Sequence, residues 1–239
     1  MKRFAVFDID GTLIRWQLYH AIADELAKNG HIDAQTHQKI KDARMVWKKR
    51  THEEAFGTYQ TELVIAYEKL LLDLSVKSFN EAVQAVFDEY KDQVYVYTRE
   101  LIKKLKKDGY LLFAISGSQM EIVSKIAKYY GFDDWVGTVY AHEKDKFTGA
   151  VTIHLGGKHL ILQELIEKHS ASSKGSIAVG DGASDISMLE MVEKPIAFNP
   201  EKKLFDYAKN KGWKIVVERK NMVYELKKKD GKYLLAETN

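Results

Sequence analysis

Three short, mainly apolar runs in this chain each empty into a polar loop that combines glycine with carboxylates, hydroxyls or both. They are Phe4-Ala5-Val6-Phe7 before Asp8-Ile9-Asp10-Gly11-Thr12, Leu111-Leu112-Phe113-Ala114-Ile115 before Ser116-Gly117-Ser118, and Ser176-Ile177-Ala178-Val179 before Gly180-Asp181-Gly182-Ala183-Ser184-Asp185. A short, mainly apolar run suits a strand covered on both faces, and intervening helices supply the cover and the crossovers. The pattern predicts an α/β fold with a doubly wound, mainly parallel sheet. Ligands bind such sheets outside the carboxyl ends of the strands, so the three loops are expected to converge.

Asp8 and Asp10 lie two residues apart at the end of the first run, so they can share one face or fan around one point. Two close anions need a cation or a shared proton. A hard divalent ion such as Mg2+, which prefers oxygen ligands, is the natural partner, and a solvated strand-end turn is the plainer alternative. Gly156-Gly157-Lys158 opens a further helical stretch, His159 to Lys168, adding an amine to the acids and hydroxyls.

Between the first and second runs, Trp16 to about Tyr95 has no alternating pattern. Leu18, Ile22 and Leu26 mark one helical face, and Phe56, Tyr59, Leu63, Tyr67 and Leu70 a later one. Asn29-Gly30 and Asp33 punctuate the first helix and the next. The division expected is therefore a core of residues 1–15 and 96–239 interrupted by a helical lid, 16–95, over the active face. After it come a helix Arg99–Lys107, a strand Leu111–Ile115, and a helix Gln119–Tyr130 capped by Ser118, with Gly109 and Gly131 as stops. Gly137–Tyr140 and Ala150–Leu155 read as a small hairpin arm. Pro195–Phe198 and Lys214–Val217 read as strands flanking a helix Lys202–Lys211, and Met222–Ala236, with Asp230-Gly231 at its middle, as a terminal hairpin.

The 239 residues suffice for a core domain and a smaller one, and 37 Lys+Arg against 34 Asp+Glu leave a net charge of only +3. The lysine clusters are scattered, so a nucleic-acid surface is not expected. Zero cysteines exclude disulfides, thiolate catalysis and cysteine-ligated metal sites. No apolar run approaches a membrane span, and the N-terminus supplies the first apolar strand itself, which leaves no room for a cleavable signal; a cytoplasmic location is the expectation. The eight histidines form no close pair at helical spacing.

In kind and order these motifs, Asp8-Ile9-Asp10-Gly11-Thr12, the strand-end Ser116, Lys158 and Gly180-Asp181-Gly182-Ala183-Ser184-Asp185, resemble those of the haloacid dehalogenase-like hydrolase superfamily. The helical insertion and the form of the last motif resemble its phosphoserine phosphatase-like branch. The resemblance implies a Rossmann-like core with a cap and a phosphoric monoester hydrolase acting on a small phosphorylated metabolite. It implies Asp8 as the nucleophile that becomes an aspartyl phosphate, and Asp10 as the acid and base. The Asp8 carboxylate, the Asp10 backbone carbonyl and Asp181 would hold Mg2+. Ser116, the Gly117 backbone and Lys158 would meet the phosphoryl group, with Asp185 supporting Lys158 and the metal ligands. Gly11, Gly180 and Gly182 would admit close backbone approach, and Thr12 would hydrogen-bond in the first loop.

Two departures bear on the substrate. Phosphoserine phosphatases carry an acidic residue shortly after the first motif, where this chain reads Leu13-Ile14-Arg15-Trp16-Gln17-Leu18; their last motif usually has asparagine where this chain has Ser184. Arg44, Lys48, Lys49 and Arg50 offer cations to an anionic substrate group or to solvent. Beside hydrolysis of a small phosphomonoester stand a phosphoserine phosphatase, a phosphotransferase using an alcohol acceptor, and a phosphate-binding module without turnover. The oligomeric state is not legible.

Overall fold

Strand β1 (Arg3–Phe7) leads into four helices, α1 (Leu18–Lys28), α2 (Ala34–Lys48), α3 (Ala55–Leu71) and α4 (Val76–Tyr90). Then follow α5 (Val96–Lys107), β2 (Leu111–Gln119), α6 (Met120–Tyr130), β3 (Asp134–Glu143), β4 (Lys146–Thr152) and α7 (Lys158–Lys168). The chain ends with β5 (Ser172–Gly180), a 3-10 turn Ala183–Asp185, α8 (Ile186–Leu189), β6 (Lys194–Phe198), α9 (Lys202–Lys211), β7 (Lys214–Arg219), β8 (Met222–Lys229) and β9 (Lys232–Thr238). This computed structural model describes residues 2–50, 52, 55–152, 157–220, 222–229 and 231–238. Ile153, His154 and Leu155 of the expected extended run, Gly156 at the expected helix start and Asp230 of the terminal turn lie outside them. No helix among the described residues is long and apolar enough to cross a membrane.

Two compact units result, one of Met1–Gln17, Glu89–Thr138 and Ile153–Asn239, the other of Leu18–Asp88 and Val139–Thr152. In the first, the strand order is β3-β2-β1-β5-β6-β7-β8-β9, parallel through β7 and antiparallel beyond. Four consecutive residues of β1, Phe4 to Phe7, are fully buried, as a central strand covered on both faces requires. The chain steps outward from β1 through β2 to β3, then returns to the other side of β1 at β5. That reversal puts the topological switch point, outside which such sheets bind their ligands, at the carboxyl ends of β1 and β5. Phe7 is level with Ala114 of β2 and Val179 of β5, so Asp8 is the first residue past the ladder beside β5, its N–H donating to the Val179 carbonyl at 3.0 Å.

The expected insertion is helical, and of its expected faces Leu18, Ile22, Leu26, Tyr59, Leu63 and Tyr67 are buried while Phe56 and Leu70 are only half-buried. Asp33 caps α2, accepting from the Thr36 N–H at 2.9 Å. The unit formed by these helices also takes the hairpin of β3's far half and β4, where Val139 pairs with Thr152 and Glu143 with Lys146. The boundary therefore falls inside one strand, where periodicity carries no signal. Ser118 does not cap α6: it lies in β2, and Gln119 precedes the helix without a side-chain cap bond. After the last acidic loop the chain makes a single helical turn, Ile186–Leu189.

Arg44, read from sequence as a cation for substrate or solvent, is instead buried. It holds both Asp24 oxygens at 2.7 Å and donates to the Tyr59 hydroxyl at 3.0 Å, tying α1, α2 and α3 together. Beside it His20 is 2% exposed, with its ring 4.6 Å from Tyr59 and 5.9 Å from Trp47. Burial, followed by the Arg44 charge, pulls the imidazole pKa down to about 3. The unfolded chain takes up this proton near pH 6.5 and the folded chain only near 3. Stability is therefore expected to fall as pH drops through that window, by about 1.4 kcal/mol per pH unit for this one proton. Denaturant titrations from pH 7 to 4 should show a shallower slope for His20→Leu than for the wild type; equal slopes would refute the assignment.

Candidate active site

Asp8 follows directly from β1 and is 5% exposed, and Lys158, the first residue of α7, is 2% exposed. A lysine so buried needs anionic partners. Its Nζ donates to Asp8 Oδ1 at 2.7 Å and to Asp185 Oδ1 at 2.6 Å, across separations of 150 and 27 residues. Burial alone would lower the ammonium pKa, but the Asp185 and Asp8 carboxylates outweigh it and hold the pKa well above the usual lysine value. Lys158 is thus a fixed cation.

Asp185 works in two directions. Its Oδ1 takes Lys158, while Oδ2 accepts the backbone N–H groups of Asp181 and Gly182, both at 3.0 Å. This closes the turn that carries Asp181. Gly180 is required there, because a Cβ would sit 2.5 Å from the Asp185 Cβ. From outside the turn, Glu201 donates its N–H to the Asp181 carbonyl at 2.9 Å and accepts the Ala183 N–H at 2.7 Å. Nothing in the sequence near Glu201 signals this role, since its partners are 18 to 20 residues away in the chain.

Asp181 also meets the first loop, accepting from the Thr12 hydroxyl at 3.0 Å. Gly11 has φ +83°, and a Cβ there would stand 2.3 Å from Asp181 Oδ2, so only glycine satisfies both the turn and the approach. Carboxylate oxygens of Asp8, Asp181 and Asp185 lie within 4.8 Å of one another. Burial first, then the neighbouring carboxylates, pushes Asp8 up to about 7 despite Lys158, and likewise raises Asp181 well above the carboxylate range. Three acids against one lysine leave negative charge without compensation. Hard oxygen donors and a charge deficit fit a hard divalent cation.

Asp10 Oδ2 accepts from Ser116 Oγ at 2.7 Å. Ser116 is itself oriented by the Ser118 N–H, 3.0 Å from its Oγ, and the Gly117 carbonyl accepts from Thr138 Oγ1 at 2.8 Å. The structure thus brings together Asp8, Lys158, Asp181 and Asp185 in one cluster and couples Asp10 to Ser116. Thr12 and Glu201 join them as residues that hold the loops. Arg15, next in sequence to the first loop, is committed elsewhere: its guanidinium meets Glu218 at 2.6 Å.

Comparison with known proteins agrees in fold. A phosphoserine phosphatase of Archaeoglobus fulgidus is 30% identical over 210 residues, 87% of this chain and 55% of its own length. Another from Methanocaldococcus jannaschii is 27% identical over 201 residues, 82% of this chain and 85% of its own. The chain thus spans about half of the first relative and most of the second. A protein of unknown function from Bordetella pertussis Tohama I superposes with a TM-score of 0.72 at 21% identity, covering 90% of this chain and 98% of its own. The model for haloacid dehalogenase-like hydrolases matches residues 5–190, across all of the loops above, and the chain belongs to that family.

Proposed function

We propose that this protein is a metal-dependent phosphatase that hydrolyses a small phosphomonoester through a phosphorylated Asp8. The observation that carries the reading is Lys158, a buried ammonium shared by Asp8 and Asp185. It holds the Asp8 carboxylate in place and supplies positive charge where an anionic nucleophile must meet an anionic phosphate. A hard dication held by the Asp8 and Asp181 carboxylates and the Asp10 carbonyl would neutralise the remaining charge.

The chemistry of the side chains then follows. An Asp8 oxygen attacks phosphorus as the bond to the leaving oxygen breaks, and Asp10 passes a proton to that oxygen. Water next attacks the acyl phosphate while Asp10 takes back a proton, and the bond from phosphorus to Asp8 breaks to free phosphate and restore the carboxylate. Ser116, donating to Asp10 Oδ2 and fixed by the Ser118 N–H, orients that carboxyl for both transfers.

Relatives named phosphoserine phosphatase make phosphoserine the first substrate to try. Gln17 and the Glu218-bound Arg15, in place of an acidic residue, weigh against an ammonium-bearing substrate. The test is phosphate release from a panel of small phosphomonoesters, phosphoserine included, with Mg2+ and after exhaustive chelation. Release with Mg2+ and a loss of about 100-fold or more on chelation is expected. No release across the panel would sink the hydrolase reading; release that survives chelation would sink the metal.

A further inference from the structure

We infer that Glu218 is a positioning residue, which through Arg15 and the start of α5 holds the Asp10–Thr12 loop in register; this rests on the phosphatase reading for its catalytic consequence. Glu218 lies in β7, 203 residues from Arg15 and beyond the family match, yet its side chain is only 1% exposed. A buried carboxylate must be satisfied, and Glu218 is satisfied by one group of partners. Its Oε1 accepts from Arg15 at 2.6 Å and from the Val96 N–H at 3.1 Å, and its Oε2 accepts from the Tyr97 N–H at 2.8 Å.

Those partners belong to two strands of chain. One leaves the catalytic loop and the other returns from the helical insertion to α5. They pair as a short antiparallel ribbon, with Ile14 opposite Val94, the Arg15 N–H on the Gln93 carbonyl at 2.8 Å and the Tyr95 N–H on the Leu13 carbonyl at 3.0 Å. Val96 and Tyr97 are the first residues of α5, whose preceding Tyr95 makes no side-chain cap bond. Glu218 therefore supplies from β7 the acceptor that an N-cap residue would normally supply locally.

The ribbon continues into the site. Thr98 of α5 donates to the Thr12 carbonyl at 2.9 Å, and the Gly11 N–H donates to the Ile14 carbonyl at 2.9 Å. Thr12 in turn reaches Asp181. Arg15 also donates to the Lys220 carbonyl at 2.9 Å and lies 5.1 Å over the Tyr95 ring, while the Glu218 N–H is held by Asn199 Oδ1 at 2.8 Å. One carboxylate thus ties the loop bearing Asp10 to the far side of the sheet.

The test compares the wild type with Glu218→Gln, which keeps the side chain's shape but loses its charge, and with the milder Arg15→Lys. Hydrogen exchange on the full chain is expected to quicken about tenfold or more in Glu218→Gln at the amides of Gly11, Ile14, Arg15, Tyr95 and Tyr97, with β1 and β5 unchanged. In the same variant kcat should fall about tenfold with KM little altered, because the loop's alignment rather than substrate binding is disturbed. Arg15→Lys should show a smaller effect of the same pattern. Unchanged exchange at those amides in both folded variants would overturn the inference, as would faster exchange with unchanged kcat. A wild type without phosphatase turnover would remove the hydrolase reading, and the exchange result would then decide on the clamp by itself.

Discussion

Asp8→Asn is expected to lose phosphate release by about four orders of magnitude or more while keeping its fold, because an amide can neither attack phosphorus nor form the acyl phosphate. Its stability carries a second signature. The folded pKa of about 7 lies above the ordinary value of 3.8, so the folded protein holds this proton longer than the unfolded chain. Ionised Asp8 then costs stability above pH 7, and the cost fades as pH falls from 7 toward 3.8. Without added metal, Asp8→Asn should be at least as stable as the wild type at pH 8. Added Mg2+ should raise the wild-type melting temperature and raise the variant's less. Turnover at the wild-type rate would dispose of Asp8 as nucleophile; a large loss of stability in the metal-free variant would contradict the charge crowding in the cluster.

Lys158→Met should fail in the opposite sense, by leaving Asp8 and Asp185 buried without their shared cation. Loss of one partner from a buried ion pair costs about 3–5 kcal/mol, since the remaining charge is uncompensated. The loss should be largest at high pH and shrink as Asp8 protonates. Denaturant titrations at pH 8 and pH 5 check this: a small, pH-independent change would show that the ammonium does not balance the acids. Under the proposed mechanism, in which this ammonium would face the phosphoryl group, activity should fall by about 1000-fold or more. Lys158→Arg keeps the charge but not the shape, and should recover stability better than turnover.

The acidic loops were legible because each follows a mainly apolar run, and a strand end in a parallel sheet is a place as well as a pattern. The helical insertion was legible for the same kind of reason, since a buried face such as Leu18, Ile22 and Leu26 repeats at the helix period. Less could be read where a side chain's role depends on a distant partner. Arg44 looked like one of several cations on a polar helix, and its burial is set by Asp24 and Tyr59 on neighbouring helices. Ser118 had the composition of a cap, but its N–H holds Ser116 in an extended segment. The hairpin Val139–Thr152 divides β3 between two units, a boundary no local propensity marks.

By itself, then, the sequence determined the alternation of strands and helices, the polar loops at three strand ends and the identity of the acids, hydroxyl and amine placed there. Periodicity and composition act over a few residues, and these features are local. Tertiary structure alone decided that Lys158 stands buried between Asp8 and Asp185, that Thr12 meets Asp181, and that Glu218 braces Arg15 and α5 from the far side of the sheet. The charge of each group is written in the chain. Its environment, and hence its pKa and its partner, comes from segments up to 205 residues away that only the packed sheet brings within hydrogen-bond distance.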